Sequence, residues 1–267
     1  MGYEAGEIEY REFPPSRELH PFAVCTWERR VPGGDASSAR ILPDGCIDLV
    51  CRDGQLVVAG PDTAAWTSSV PPGGTVVGLR MRPGIGGSVL VMAASELRDA
   101  RQPVADVWGR SGSELAERLG ETPLPAARRA VLERALIERL ADSGSPDSLV
   151  LAATRRLGFR GSRVAALAVA LGISDRQLRR RFHEAVGYGP KTLDRVLRLQ
   201  RLVARAPAVI SGDEDLARVA ADLGYADQAH LTRDCRRLTG MTPTALAAGR
   251  ATRRALADTV RPAPGSG

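Results

Sequence analysis

Residues Val164–Pro190 read VAALAVALGISDRQLRRRFHEAVGYGP, and residues Leu216–Pro243 read LARVAADLGYADQAHLTRDCRRLTGMTP. They are two copies of one pattern. Leu178 aligns with Leu231, Arg180 with Arg233, Gly187 with Gly240 and Pro190 with Pro243, each pair 53 residues apart. The Leu-Gly steps at 171–172 and 223–224 are 52 apart, so the second copy has one more residue in its turn. An internal repeat of this kind is a repeated structural unit. In each copy a short helix ends at a glycine free to take positive φ, Gly172 or Gly224. A tight turn and a second helix follow. In the first copy Ser174 is a good N-cap, and Gln177 three residues later completes a capping box. Leu178, Phe182 and Val186 recur at i, i+4 and i+8 and predict one buried face, with Arg176, Arg179 and Arg180 on other faces. Gly187 stops the helix, and Pro190 suits the first turn of the next one.

A helix with one apolar stripe and outward arginines fits a DNA major groove, where arginine can bond guanine with both arms of its fork. The second copy offers Gln228, His230, Thr232 and Arg233 for the same task, with Leu231, Cys235 and Leu238 turned to the core. A helix over about 191–206, with Leu193, Val196, Leu197 and Val203 at core spacing, joins the copies. At about 1.5 Å per residue it spans roughly 24 Å. A spacer of that size can hold two helices on one face of a duplex whose successive major grooves lie about 34 Å apart. One such match in an Ala/Leu/Arg-rich chain equally describes a plain helical hairpin. Two in series, on a basic background, favour DNA.

The charge distribution agrees. The chain of 267 residues carries +6, but residues 1–105 carry −3, residues 106–158 carry 0 and residues 159–267 carry +9. A basic module behind a slightly acidic one expects a polyanion for its partner. Hydrophobic residues at 43% and charged residues at 25% are ordinary for a water-soluble globular chain. No apolar run approaches the roughly 18 residues of a membrane span. The start MGYEAGEIEYREF is acidic and lacks the apolar segment of a secretory signal. Four scattered cysteines, Cys25, Cys46, Cys51 and Cys235, make no disulfide framework and fit a reducing cytoplasm.

The N-terminal part reads as short strands: Phe22–Arg30, Ala39–Leu42, Cys46–Cys51, Gln55–Ala59 and Thr75–Met81, punctuated by Pro/Gly/Asp turns. Asp53-Gly54 between two apolar runs is a two-residue hairpin signal. Helical spacing begins after Gly84, with helices expected near 85–94, 111–119, 124–140 and 147–157. The expected fold class is α+β. A small β-sandwich or barrel of regulatory or sensor type covers residues 1–105, and a helical connector covers 106–158. An all-α module with two helix-turn-helix units covers 159–256, and a disordered tail covers 257–267.

Residues 160–250 resemble the DNA-binding domain of AraC/XylS-type transcription regulators. The resemblance rests on Ala168, Leu171-Gly172-Ile173-Ser174, Leu178, Arg180, Phe182, Gly187 and Pro190, and on Ala220, Gly224-Tyr225, Asp227-Gln228, Leu231, Arg233 and Gly240-Met241-Thr242-Pro243. It implies a seven-helix module that contacts two adjacent major grooves. The groove-facing residues it implies are Arg176, Gln177, Arg179 and Arg180 in the first unit and Gln228, Ala229, His230, Thr232 and Arg233 in the second. Cys235 stands where the family usually has Phe, which implies a smaller core side chain in the second unit. The first 105 residues resemble a poorly characterised N-terminal domain of some AraC-type regulators, through Leu42-Pro43-Asp44-Gly45-Cys46-Ile47-Asp48-Leu49-Val50, Gly60-Pro61, Gly78–Gly84 and Val107-Trp108-Gly109. That implies a regulatory role without fixing a ligand.

Other chemistry is weighed against plainer readings. Cys25, Cys46 and Cys51 suit a thiol or metal sensor or buried packing, and packing is the ordinary case. Asp44 and Asp48 form a carboxylate pair, or Asp44 simply serves its turn before Gly45. Arg80 and Arg82 share a strand face and suit an anionic effector or salt bridges. Trp27 and Trp66 line a pocket or a core. Pro72–Thr75 and Gly84–Ser88 lack the lysine and spacing of a phosphate loop. His183 and His230 are expected to be solvated or to face DNA. No cofactor, metal site or catalytic residue is expected. The partners expected are duplex DNA, with RNA polymerase, a small-molecule effector and a second copy of the chain as further candidates. An apolar stripe near Val131–Leu140 motivates the dimer. The rivals are an alkyl-transfer sensor using Cys46, which needs an activated thiol, and a helical adaptor that binds only protein.

Overall fold

The computed structural model describes residues 9–33, 37–158 and 164–249. The predicted tail over 257–267 lies outside them. Among the described residues there are eight strands: β1 (Glu9–Phe13), β2 (Ala23–Arg30), β3 (Ser37–Ile41), β4 (Ile47–Arg52), β5 (Gln55–Ala59), β6 (Trp66–Val70), β7 (Thr75–Met81) and β8 (Arg101–Pro103). Six form one antiparallel sheet in the order β1-β2-β7-β4-β5-β8, and β3 pairs with β6 in a separate ribbon. The Asp53-Gly54 turn is a two-residue hairpin between β4 and β5, with φ of 50° and 77° at its two corners and Arg52 opposite Gln55. Both corners need positive φ, which the Asp-Gly pair supplies cheaply. The sheet does not close into a barrel. Its edges are β1 and β8, and β1 carries Glu9, Arg11 and Glu12 along its exposed length, a common protection of an open edge.

Strand alternation sorts the two faces of this sheet. Leu49 and Cys51 of β4, Leu56 and Val58 of β5 and Val77, Leu79 and Met81 of β7 form one core with helices that follow. Cys25 and Trp27 of β2 and Val76 of β7 form another with Val31 and Val70, so the ribbon supplies the second layer there.

The helices are α1 (Gly86–Val89), α2 (Val104–Trp108), α3 (Arg110–Glu121), α4 (Pro125–Asp142), α5 (Ser148–Thr154), α6 (Val164–Ala170), α7 (Asp175–Val186), α8 (Pro190–Ala204), α9 (Ala206–Ser211), α10 (Leu216–Asp222) and α11 (Gln228–Thr239). Trp108, Leu115, Leu119, Leu132, Ala135 and Leu136 of α2, α3 and α4 all enter the sheet core. The stripe near Val131–Leu140 therefore packs inside this chain, and the argument it gave for a dimer is lost. Trp108 stays oriented by donating Nε1–H to Val89 O at 2.9 Å, with Arg139 over its ring at 4.6 Å.

A third core holds the C-terminal helices together: Leu178, Phe182 and Val186 of α7, Leu193, Val196 and Leu199 of α8, and Leu231, Cys235 and Leu238 of α11. Leu42 from the N-terminal part belongs to this core, and Ala65 packs against it. The two halves of the chain thus share buried surface. The expected helix over 191–206 breaks at Arg205, because Pro207 in the first turn of α9 cannot continue the amide ladder of α8.

Candidate nucleic-acid interface

Helix α7 begins and ends as its sequence dictates. Ser174 Oγ accepts from Gln177 N–H, and Gln177 Oε1 accepts from Ser174 N–H at 2.9 Å, so the capping box is closed. The helix stops where Gly187 turns to φ 92°. Helix α11 uses a different cap: Asp227 accepts from His230 N–H at 2.6 Å, and Gly240 at φ 71° ends the helix. Gly172 and Gly224 take φ of 66° and 78° in the turns between paired helices. Each copy is therefore two helices joined by a tight turn, α6 to α7 and α10 to α11.

The inward faces are Leu178, Phe182, Ala185 and Val186 on α7 and Leu231, Asp234, Cys235 and Leu238 on α11. Arg176, Gln177, Arg179 and Arg180 lie on the exposed face of α7. Arg180 makes a 3.9 Å helical pair with Glu184, and its side chain remains 69% exposed, so the guanidinium can leave that pair cheaply. Gln177 is less available than its exposure suggests. Its Oε1 also accepts from Ser174 Oγ at 2.9 Å, which leaves the amide NH₂ to contact a base.

On α11, Gln228, Ala229 and Arg233 are exposed, and Gln228, Ala229, Thr232, Arg233 and Arg236 line one shallow hollow. The Thr232 hydroxyl donates to Gln228 O at 2.8 Å, so it meets an outside partner as an acceptor. His230 departs from the others. It is half-buried, edge-on to Tyr225 at 5.1 Å, with Nε2 3.8 Å from Asp234. Its ring lies against its own module. Arg236 was not picked out in the sequence, although it follows Thr232 by one helical turn and shares its face.

Helix α8 fastens the two units to each other. Asp194 accepts from Gly158 N–H at 2.8 Å and pairs with Arg198 at 2.7 Å. Arg198 also donates to Gly224 O at 3.1 Å, in the turn of the second unit, and lies over Tyr225. Asp234, buried on α11, is 3.8 Å from Arg195. Cys235 is buried, with its sulfur 3.7 Å from the Thr239 hydroxyl.

The N-terminal candidates resolve into packing and ion pairs. Arg80 lies within 3.4 Å of Glu12, Asp44 and Asp48. Burial works against its charge, but Asp48 and Asp44 outweigh burial and hold it protonated. Trp27 donates to Asp48 at 3.0 Å, and Arg82 donates to His20 O at 3.1 Å. Trp66 donates to Asp62 at 2.9 Å under the Arg101 guanidinium, 4.0 Å away. Burial pushes the Cys25 thiol up to about 12. Burial, with Asp44 and Asp48 adding to it, pushes Cys46 well above the usual thiol range, which is the reverse of the activation an alkyl-transfer nucleophile requires. All four cysteines are free, and no group of three metal-ligating side chains converges among the described residues. No described helix is long and apolar enough to cross a membrane.

Residues 167–249 match the family model described as Helix-turn-helix domain, and residues 11–103 match the Domain of unknown function (DUF6597). No curated protein matches the chain. Among solved structures, an apo form of ToxT from Vibrio cholerae strain SCE256 is 12% identical, with 90% of this chain and 96% of that chain covered and a TM-score of 0.40. ToxT from Vibrio cholerae O395 is 10% identical over 90% and 96% of the two chains, with a TM-score of 0.38. Unsaturated fatty acid bound ToxT from strain SCE256 is 11% identical over 92% and 97%, also with a TM-score of 0.38. The two family matches fall on the two halves of the fold described above: the C-terminal helices carry a helix-turn-helix domain of the AraC type, and the sheet before them carries a domain of unknown function.

Proposed function

We propose that this protein reads two adjacent major grooves of a promoter with α7 and α11, and that its N-terminal domain controls that reading. The observation that carries this proposal is the duplication itself. Two capped helices present Arg176, Arg179 and Arg180, and Gln228, Thr232 and Arg233, to solvent from one basic module. Arg176, Arg179 and Arg233 have no ion-pair partner among the described residues, so their charge is available to phosphates and guanine edges. A helical adaptor that binds only protein gives no reason to keep both outward faces cationic. Control by the N-terminal domain is supported by the shared core: a signal that altered the packing of Leu42 or Ala65 would act on the DNA-binding helices directly.

The test is selection of random duplex DNA by the purified full-length protein, followed by affinity for the selected site at several salt concentrations. The expected result is one site of about 16–20 base pairs, with two preferred blocks centred about one helical turn apart. Affinity should fall steeply with salt as bound counterions are released. Weak binding without enrichment of any sequence would overturn base reading.

A further inference from the structure

We infer that the loop Gly60–Trp66 ties the C-terminal ends of α7 and α11 together and thereby sets the spacing between the two DNA blocks. The inference rests on the two-groove reading above. Its first support is the repeat. Gly187 and Gly240 occupy the same position in the two copies, and both abut the N-terminal domain. A Cβ on Gly187 would lie 2.5 Å from Pro61 Cγ and 2.8 Å from Ala94 O. A Cβ on Gly240 would lie 3.0 Å from Arg40 Nη2. Beside that second contact, Ala65 N–H donates to Leu238 O at 2.7 Å. Leu238 O is among the last carbonyls of α11, which have no partner within their own helix. The loop supplies that partner.

Pro61 and Ala65 are four residues apart, so the chain between them reaches at most roughly 14 Å. One end rests on the stop of α7 and the other on the stop of α11. The loop between them is stiff. Asp62 takes two bonds of 2.6 Å from the Arg101 fork and one of 2.9 Å from Trp66 Nε1. Thr63 gives both its N–H and its hydroxyl to Asp99, at 2.7 and 2.8 Å. Gly60 N–H donates to Ala100 O at 3.0 Å, and its Cα lies so close to Leu97 O that no side chain fits there.

The two units meet through α8 and the core around it, which leaves their far ends the freedom to splay. A second tie at those ends removes that freedom. Each base pair of added spacer moves a block by about 3.4 Å and turns it by roughly 35° around the duplex. A fixed pair of readers cannot follow that change, whereas a hinged pair can.

The experiment uses the full-length protein, a selected site and versions of that site with the spacer changed by one or two base pairs. Wild type is expected to lose affinity about tenfold or more for each single-step change, as when a base contact is lost. Asp62→Ala frees the Arg101 fork and Trp66 without touching either helix-turn-helix. It should reduce that loss to about threefold or less while base preference within each block is kept. Thr63→Val, which keeps the fold more safely, should move the profile the same way by a smaller amount. A second measurement needs no DNA. Spin labels on Arg176→Cys and Arg237→Cys should give a narrow distance distribution that broadens when Asp62→Ala is added; the native thiols are buried or half-buried. An unchanged spacing profile together with an unchanged distance distribution would overturn the tie. Failure of wild type to select any site would overturn the DNA reading, and the distance measurement would still decide whether the loop holds the two helices together.

Discussion

At Arg180 and Arg233 the chemistry of recognition can be tested side chain by side chain. They occupy one repeat position, and both lie on exposed helix faces. Arg180→Ala and Arg233→Ala should each weaken binding to the selected site by about 1–3 kcal/mol and relax base preference in one block only. Titrations against single-base variants of the site check this, and wild-type behaviour of both variants would mean that other residues read the bases. Tyr188 makes a different kind of prediction. It is 2% exposed, and its hydroxyl has no hydrogen-bond partner among the described residues. Burial of an unpaired hydroxyl carries a cost, so Tyr188→Phe should match or exceed wild-type stability, whereas Tyr188→Ala should lose about 3–5 kcal/mol in denaturant titration. Asp48 predicts a pH dependence. Burial raises its carboxyl from 3.8 to about 6 against the pull of Arg80. Between these values the folded chain holds a proton that the unfolded chain has released. Its contribution to stability therefore falls as pH rises through about 4 to 6 and is level above that. Asp48→Asn should remove this part of the slope of melting temperature against pH; an unchanged slope would assign the titration elsewhere.

Among the elements, the stops of α7 and α11 invite direct comparison. Both glycines have positive φ, where a Cβ costs about 1–2 kcal/mol. Gly240→Ala meets only the tip of Arg40, which can swing away. Gly187→Ala meets Pro61 and the Ala94 carbonyl, which cannot, so overpacking adds about 1–3 kcal/mol. Gly187→Ala should therefore be clearly the less stable variant in denaturant titration, and equal losses would mean that the α7 stop is not held against the N-terminal domain. This asymmetry also marks where sequence reading succeeds and where it runs out. The caps at Ser174 and Gly187 were legible because each is a local rule about φ or an unpaired N–H. The hairpin at Asp53-Gly54 was legible for the same reason. Strands β1, β6 and β8 were not. EYREF and WTSSV lack a run of alternating apolar residues, and RQP is three residues long. Their partners make them strands. His230, expected to be solvated or to face DNA, has a side chain 39% exposed, and its edge-on contact with Tyr225 at 5.1 Å is one that no local pattern encodes. The contact of Ala65 N–H with Leu238 O involves backbone groups alone, and no side-chain pattern encodes it.

For the molecule as a whole, the shared core decides how the two halves unfold. All three tryptophans, Trp27, Trp66 and Trp108, lie before residue 110, whereas α6 to α11 lie beyond residue 163. Tryptophan fluorescence therefore reports the N-terminal half, and far-ultraviolet circular dichroism is weighted toward the C-terminal helices. Were the halves joined by a flexible linker, each would melt on its own. Here Leu42 sits in the C-terminal core, Gln200 donates to Pro43 O at 2.6 Å, Arg181 pairs with Asp147 at 2.6 Å, and Ala65 bonds to α11. Separating the halves would open that core and leave the Pro43 and Leu238 carbonyls to find water. The two probes should accordingly give one coincident transition in denaturant, as a cooperative unit does. The isolated fragment 159–267 should melt at a lower temperature than the full chain, because Tyr188 and Leu193 lose the Gly45 turn that covers them. Gln200→Ala should lower the midpoint seen by both probes together. Two separated midpoints in the wild-type chain would show that the interface contributes little to either half, and a signal could then pass between the halves only by creating contacts on binding.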